Sequence, residues 1–209
     1  MVPIRGVPLL SIWMQLFKRI GIEEVLINVY AHAPAVCEFV QRNPSGVRVR
    51  IVEESELLGS AGTLRANRDW VSADEFFGIF YADVLNRVDF AAMMRMHRQR
   101  RPAATLGVYE VADPRRCGIV AMDESGVIRE FVEKPSQPAS NLAFSGLMIG
   151  TAALLDVIPD NIPADIGFHV LPQLVGRMVA YHINDYIIDI GTMENYNRAQ
   201  VTWPGSPEE

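Results

Sequence analysis

An α/β fold built on an open, mixed and mostly parallel sheet is what this chain predicts, and two observations carry the prediction. Through the first half, short apolar runs of strand length alternate with amphipathic helical stretches, the pattern of strand–helix–strand units. From Cys117 onward the pattern changes to hairpin-like strands, which makes the sheet mixed.

The elements follow in order. "PLLSIWMQLFKRIG" puts Leu9, Trp13, Leu16, Phe17 and Ile20 on one helical face, with Pro8 at the start and Gly21 at the stop. "EVLINV" (24–29) is nearly all apolar, as expected of a strand buried on both faces of a parallel sheet. A helix over about 34–41 follows, and "NPSG" turns the chain into "VRVRIV" (47–52), a strand with one solvated face. A short helix starts near Ala61, and "FFGIFYADVL" reads as an apolar strand running into Asp83. The helix "DFAAMMRMHRQR" and the strand "ATLGVYEV" complete the alternating part. "GIVAMDESGVIREFVE" is a hairpin turning at Asp123 and Gly126, and "LAFSGLMIG" is a further strand. "TAALLDVI" and "FHVLPQLVGRM" read as helical, and "TWPGSPEE" has no periodicity.

Bulk properties narrow the class. At 209 residues and 49% hydrophobic content, a single domain over 1–202 with a tail at 203–209 is expected. No apolar run reaches bilayer length, and "MVPIRGVPLL" lacks the character of a secretory leader, so neither membrane nor export is expected. Cys37 and Cys117 show no metal-ligand spacing and point to a reducing, cytoplasmic setting. A net charge of −6 argues against a nucleic-acid partner but allows local phosphate binding through a metal ion.

Three constellations could carry chemistry. Asp83 and Asp189 each close an apolar run, where a carboxylate is costly unless something pairs with it. Ligands of open α/β sheets bind beyond the carboxyl ends of the strands, and two carboxylates there suit Mg²⁺ with phosphate oxygens; the plainer alternative is that each caps a following turn or helix. In "ESELLGSAGTL", Gly59 and Gly62 allow close backbone approach to a ligand, or simply an ordinary helix start. In "EFVEKP", Glu133 could accept from two sugar hydroxyls and Lys134 could neutralise a phosphate, or the two could form a solvated strand end. No nucleophile–base pair stands out, and the four histidines lack metal spacing.

Taken in order, "LGSAGTL", "YADVL", "FVEKP", "SGLMIG" and "DIGTMENYNRA" resemble the motifs of the sugar-1-phosphate nucleotidyltransferases, over about 2–199. The resemblance implies a Rossmann-like sheet with helices on both faces. It also implies transfer of a nucleoside monophosphate from a nucleoside triphosphate to a sugar-1-phosphate, with a guanylyl enzyme resembled most and thymidylyl or uridylyl transfer next. It assigns Asp83 and Asp189 to Mg²⁺ and places Glu54, Gly59 and Gly62 around the nucleobase. Gly118, Glu133, Lys134 and Gly146 fall to the sugar phosphate, with Lys134 also catalytic. The family's glycine-rich phosphate loop and first strand are missing before Met1, and its "GKP" reads Gly6-Val7-Pro8. The expectation is therefore that the natural chain starts upstream and that this one turns over poorly. A non-catalytic sugar-nucleotide-binding module and a nucleotide-sugar glycosyltransferase are the competing classes, and a homo-oligomer is left open.

Overall fold

The computed structural model describes residues 2–206. The expectation placed on Met1 and the end of the tail, 207–209, lie outside the described residues. In chain order the elements are β1 (Pro3–Ile4), β2 (Val7–Pro8), α1 (Leu9–Arg19), β3 (Glu24–Val29), α2 (Ala33–Arg42) and β4 (Arg48–Glu53). Next come α3 (Ser60–Ala66), α4 (Arg68–Val71), β5 (Phe76–Phe80), β6 (Val84–Asn86), α5 (Phe90–Arg100) and β7 (Ala104–Glu110). The remainder holds β8 (Gly118–Met122), β9 (Ile128–Glu133), β10 (Leu142–Thr151), α6 (Ala152–Leu155), β11 (Met178–His182), β12 (Ile187–Asp189) and α7 (Met193–Thr202). Among the described residues no helix is long and apolar enough to cross a membrane.

The chain divides into two compact units. The first gathers β1 to β4 with α1 and α2, the segment Ala82–Arg87, and α7 with the end of β12. α1 forms because Leu9, Ile12, Trp13, Leu16 and Phe17 recur at helical spacing and all are buried, with Trp13 and Phe17 stacked one turn apart at 5.4 Å. Gly21 stops it at φ +76°, a conformation open to glycine. β3 and β4 pair in parallel from Glu24 opposite Arg48 to Val29 opposite Glu53. Burial of β3 on both faces is not what the structure has: only Val25 and Val29 are buried, and Leu26 and Ile27 are half exposed. Among the described residues β3 pairs with β4 alone, so one of its edges carries no ladder.

The second unit carries a six-stranded mixed sheet in the order β11-β7-β10-β8-β9, with β5 also on β10. β10 is antiparallel to β5, β7 and β8, while β11 is parallel to β7. Hence β5, β7, β8 and β11 all run one way, and β9 and β10 run against them. At ten residues β10 is long enough to hold two partners along one edge: Ala143 opposes Ile119 of β8, and Leu147 to Thr151 oppose β5. The change of partner falls at Gly146, at φ +77°, inside a bulge that shifts the register against β7 between Phe144 and Met148. Leu106, Val108, Val120, Ile128, Met148 and Leu171 are among the fully buried core residues. His97 of α5 is buried as well, its Nδ1 2.9 Å from the Thr105 hydroxyl, and burial lowers its pKa.

Two elements differ from expectation. The segment read as the helix "FHVLPQLVGRM" is a π turn over Ile166–Val170 and a 3₁₀ turn over Leu171–Leu174, after which Met178 opens β11. Pro172 supplies no N–H for a regular helix there. The strand expected to run into Asp83 stops at Phe80, because its ladder with β10 is completed by the Tyr81 amide on the Gly146 carbonyl. Asp83 therefore lies in a turn before β6, not at a strand end.

Candidate active site

In the first unit the turn carrying Asp83 is held from two sides. The Trp13 indole Nε1 donates to the Ala82 carbonyl at 3.2 Å, and the Ile190 amide donates to the Asp83 carbonyl at 2.9 Å. Asp189 ends β12, which pairs with β6, so one short ladder brings two carboxylates together across 106 positions of sequence. Gly191 shows how close they are. A Cβ built on it would stand 2.9 Å from Asp189 Oδ1 and 3.6 Å from Asp83 Oδ2, so both oxygens face one point. That is well inside the ~10 Å beyond which one Mg²⁺, with Mg–O distances of ~2.1 Å, could not serve both. The Gly191 amide donates to Asp189 Oδ1 at 2.6 Å and fixes that carboxylate.

The electrostatics are those of two like charges in want of a cation. The Asp83 pKa is raised, first by partial desolvation and then by the charge of Asp189. Neither carboxylate has an ion-pair partner among the described residues. Two accessible carboxylate oxygens around one point are a donor set that fits a hard divalent ion completed by phosphate and water. Among the described residues no three His, Cys, Asp or Glu side chains gather for a metal.

Glu54, in the same unit, is 7% exposed and follows β4. Its Oε1 accepts from Asn28 Nδ2 at 3.3 Å, and its amide donates to the Val29 carbonyl, tying the ends of β3 and β4.

Gly59 and Gly62 lie in the second unit, where Ala164 explains both. Its carbonyl accepts from the amides of Ala61 and Gly62, and its own amide donates to the Leu58 carbonyl. The Ala61 and Gly62 amides at the start of α3 are thus committed to protein. Gly59 sits at φ +78°, and a Cβ there would collide with the Ala164 carbonyl. Gly59→Ala is expected to lower stability by about 2 kcal/mol or more, from strain and the clash together. Urea denaturation reads this directly, and an unchanged midpoint would mean that the loop is free to leave Ala164.

The second cluster is built around Glu133, at the end of β9. Gly118 pairs with it across the β8–β9 ladder, and a Cβ on Gly118 would stand 2.6 Å from Glu133 Oε2. A Cβ on Gly167 would collide with the same oxygen and lie 3.3 Å from Asp165 Oδ1. The half-buried Glu133 has a raised pKa, chiefly from desolvation; Lys134 lowers it and Asp165 raises it. Lys134 adopts φ +49°, which turns the chain so that adjacent side chains need not point to opposite faces. Its amide bonds the Cys117 carbonyl, and its ammonium lies 5.8 Å from the Phe168 ring centroid. Gly146 lies three positions along β10 from Ala143, which faces Ile119 beside Gly118, and a Cβ there would press on Tyr81 at 2.9 Å.

Asp165 and its neighbours were not singled out from sequence. The Asp165 carboxylate accepts from the Ser60 hydroxyl at 2.9 Å and from the Phe168 amide at 3.0 Å, so it joins the start of α3 to the Glu133 cluster. One signal was available: Asp165-Ile166-Gly167 repeats the tripeptide Asp189-Ile190-Gly191.

With this geometry in place, comparison with known proteins is decisive for the family. The Nucleotidyl transferase family matches residues 1–204. The mannose-1-phosphate guanylyltransferase of Mycobacterium tuberculosis is 29% identical over 204 residues, 95% of this chain and 56% of that protein. The catalytic subunit beta of the Xenopus tropicalis mannose-1-phosphate guanylyltransferase is 30% identical over 90% of this chain and 54% of its own length. The chain thus spans about half the length of the curated relatives it matches. Among solved structures, HddC from Yersinia pseudotuberculosis superposes with a TM-score of 0.81 at 22% identity, over 96% of this chain and 87% of that one, and shares the fold. The chain belongs to the Nucleotidyl transferase family.

Proposed function

We propose that this chain transfers a nucleoside monophosphate from a nucleoside triphosphate to a sugar-1-phosphate, releasing pyrophosphate, with guanine as the base. The observation that carries this reading is the Asp83–Asp189 pair facing one point, with no ion-pair partner among the described residues. A phosphate oxygen of the sugar-1-phosphate attacks the α-phosphorus, and the bond from that phosphorus to the bridging oxygen breaks as pyrophosphate leaves with the electron pair. No covalent enzyme intermediate is required, so the protein's work is positioning and charge neutralisation. Asp83 and Asp189 would hold Mg²⁺, which when bound neutralises phosphate charge.

Glu133, part desolvated beside Gly118 and Gly167, is suited to accept hydrogen bonds from sugar hydroxyls. Lys134 is suited to meet the sugar phosphate as a point charge. Glu54, Gly59 and Gly62 are assigned to shaping the nucleoside end, and Gly146 to the sugar strand. The guanylyl choice is supported by the names of the relatives that are 29% and 30% identical.

The test is pyrophosphate release with GTP, dTTP and UTP, each paired with mannose-1-phosphate and glucose-1-phosphate in the presence of Mg²⁺. GTP with mannose-1-phosphate is expected to be fastest. A dTTP or UTP optimum would replace the guanylyl assignment. Binding of GDP-mannose without release from any pair would favour a binding module.

A further inference from the structure

Away from Glu133, the second unit contains an open cavity of about 490 Å³. Arg100 and Arg101 at the end of α5, Ala103 before β7, Thr151 at the end of β10, and Arg177 and Met178 at the start of β11 line it. The strand register fixes its place. Ala104 of β7 lies opposite Met178 and Gly150, whereas Tyr109 lies level with Ala143 and Ile119, next to the Gly118–Glu133 pair. Five steps along β7 at ~3.3 Å each put the cavity roughly 17 Å from the Glu133 cluster, at the opposite end of the strand.

The wall is positively charged against the trend of the molecule. Three arginines line it and no carboxylate does, in a chain whose net charge is −6. Arg100 is partly committed, since Nη1 donates to the Ser125 carbonyl. The side chains of Arg101 and Arg177 have no hydrogen-bond or ion-pair partner among the described residues. Elsewhere Arg42, Arg48, Arg65, Arg68, Arg115 and Arg129 each meet a carboxylate. Arg101 also holds the left-handed position that ends α5, φ +47°, where glycine or asparagine is the usual residue.

Unpartnered guanidinium groups around one cavity repel each other, and each presents a planar fork that matches phosphate in bidentate fashion. Two such groups suit two phosphates better than one. Val127, Val179 and Ala153 add apolar wall, and the volume falls in the range of small-ligand sites, ~300–1,000 Å³. We propose that this cavity is a second anion site, taking the diphosphate or bisphosphate group of a small organic molecule, separate from the Asp83–Asp189 and Glu133 clusters.

The test is a titration of the intact chain with inorganic pyrophosphate, without divalent metal and at constant ionic strength, followed by amide NMR. Saturable shifts are expected at Arg101, Gly176, Arg177 and Val179. The double variant Arg101→Gln with Arg177→Gln should weaken them about tenfold or more, given the strength of charged hydrogen bonds, while a dispersed spectrum shows that it remains folded. Asp83→Asn should leave them unchanged. Shifts that never saturate, that sodium chloride alone reproduces, or that survive in the double variant would overturn the site. Because the readout is local to these amides, failure of the transferase assignment would not imitate any of these results.

Discussion

Replacing Asp83 by Asn is expected to lower nucleotidyl transfer about a thousandfold while leaving the fold intact. The loss follows from removing one of two carboxylates that would hold the metal: charge stabilisation of several kcal/mol is at stake, and each ~1.4 kcal/mol is a factor of ten in rate. The fold should tolerate the change because Asp83 is exposed in a turn whose fixed contacts, from Trp13 and Ile190, go to backbone carbonyls. Asn also removes a repulsion. Since the Asp83 pKa is raised in the folded state, its contribution to stability is fully present below the unfolded pKa and is lost as pH rises through the folded one. At neutral pH the metal-free protein bears that cost, so the variant's melting temperature should be equal or higher. By the same linkage, protons compete with the metal, and Mg²⁺ affinity should fall with decreasing pH earlier than an ordinary carboxylate site would. Steady-state rates with a calorimetric Mg²⁺ titration check both parts. A variant within tenfold of the unaltered rate would remove Asp83 from the metal.

Lys134→Ala should be nearly as damaging, but on one substrate only. The expected loss is about a hundredfold in kcat/KM for the sugar-1-phosphate, the scale of a charged hydrogen bond made to phosphate, with the KM for the nucleotide changed only a few-fold. The selectivity follows from how the residue is held. Its left-handed backbone and the bond from its amide to Cys117 aim the side chain past the strand end, over Phe168 and beside Glu133. Alanine keeps those backbone contacts and removes the side chain beyond Cβ, the ammonium with it. Equal losses for both substrates, or none, would reduce Glu133 and Lys134 to a solvated strand end.

Much of this was legible in the chain because it depends on local pattern. Helical spacing of Leu9, Ile12, Trp13, Leu16 and Phe17 marks α1, and alternation in Arg48 to Val52 marks a strand with one open face. The hairpin around Asp123 and Gly126 is announced by its turn residues: the Asp123 carboxylate accepts from the amides of Ser125 and Val127, and Gly126 takes φ +78°. The aspartates were recognisable because a carboxylate closing an apolar run demands a partner.

Other features were set only when distant segments met. Asp83 could not be placed in its turn from sequence, since β5 ends where the Gly146 carbonyl, across the sheet, takes the last amide of that run. The amides of Ala61 and Gly62 looked open until Ala164, about a hundred positions on, accepted them both. Asp165 stayed hidden because its partners, Ser60 and the Glu133 cluster, come from two other parts of the chain. The arginine-lined cavity is of the same kind: Arg101 and Arg177 stand 76 positions apart in sequence, and only the parallel pairing of β7 with β11 brings their strands' starts together. By itself, then, the sequence determined the fold class, most of the elements and the chemical types available, because period and turn chemistry act over a few residues. Which carboxylates meet, which amides are already satisfied and which cations go unpaired were decided by tertiary structure, because each depends on a register between strands far apart in the chain.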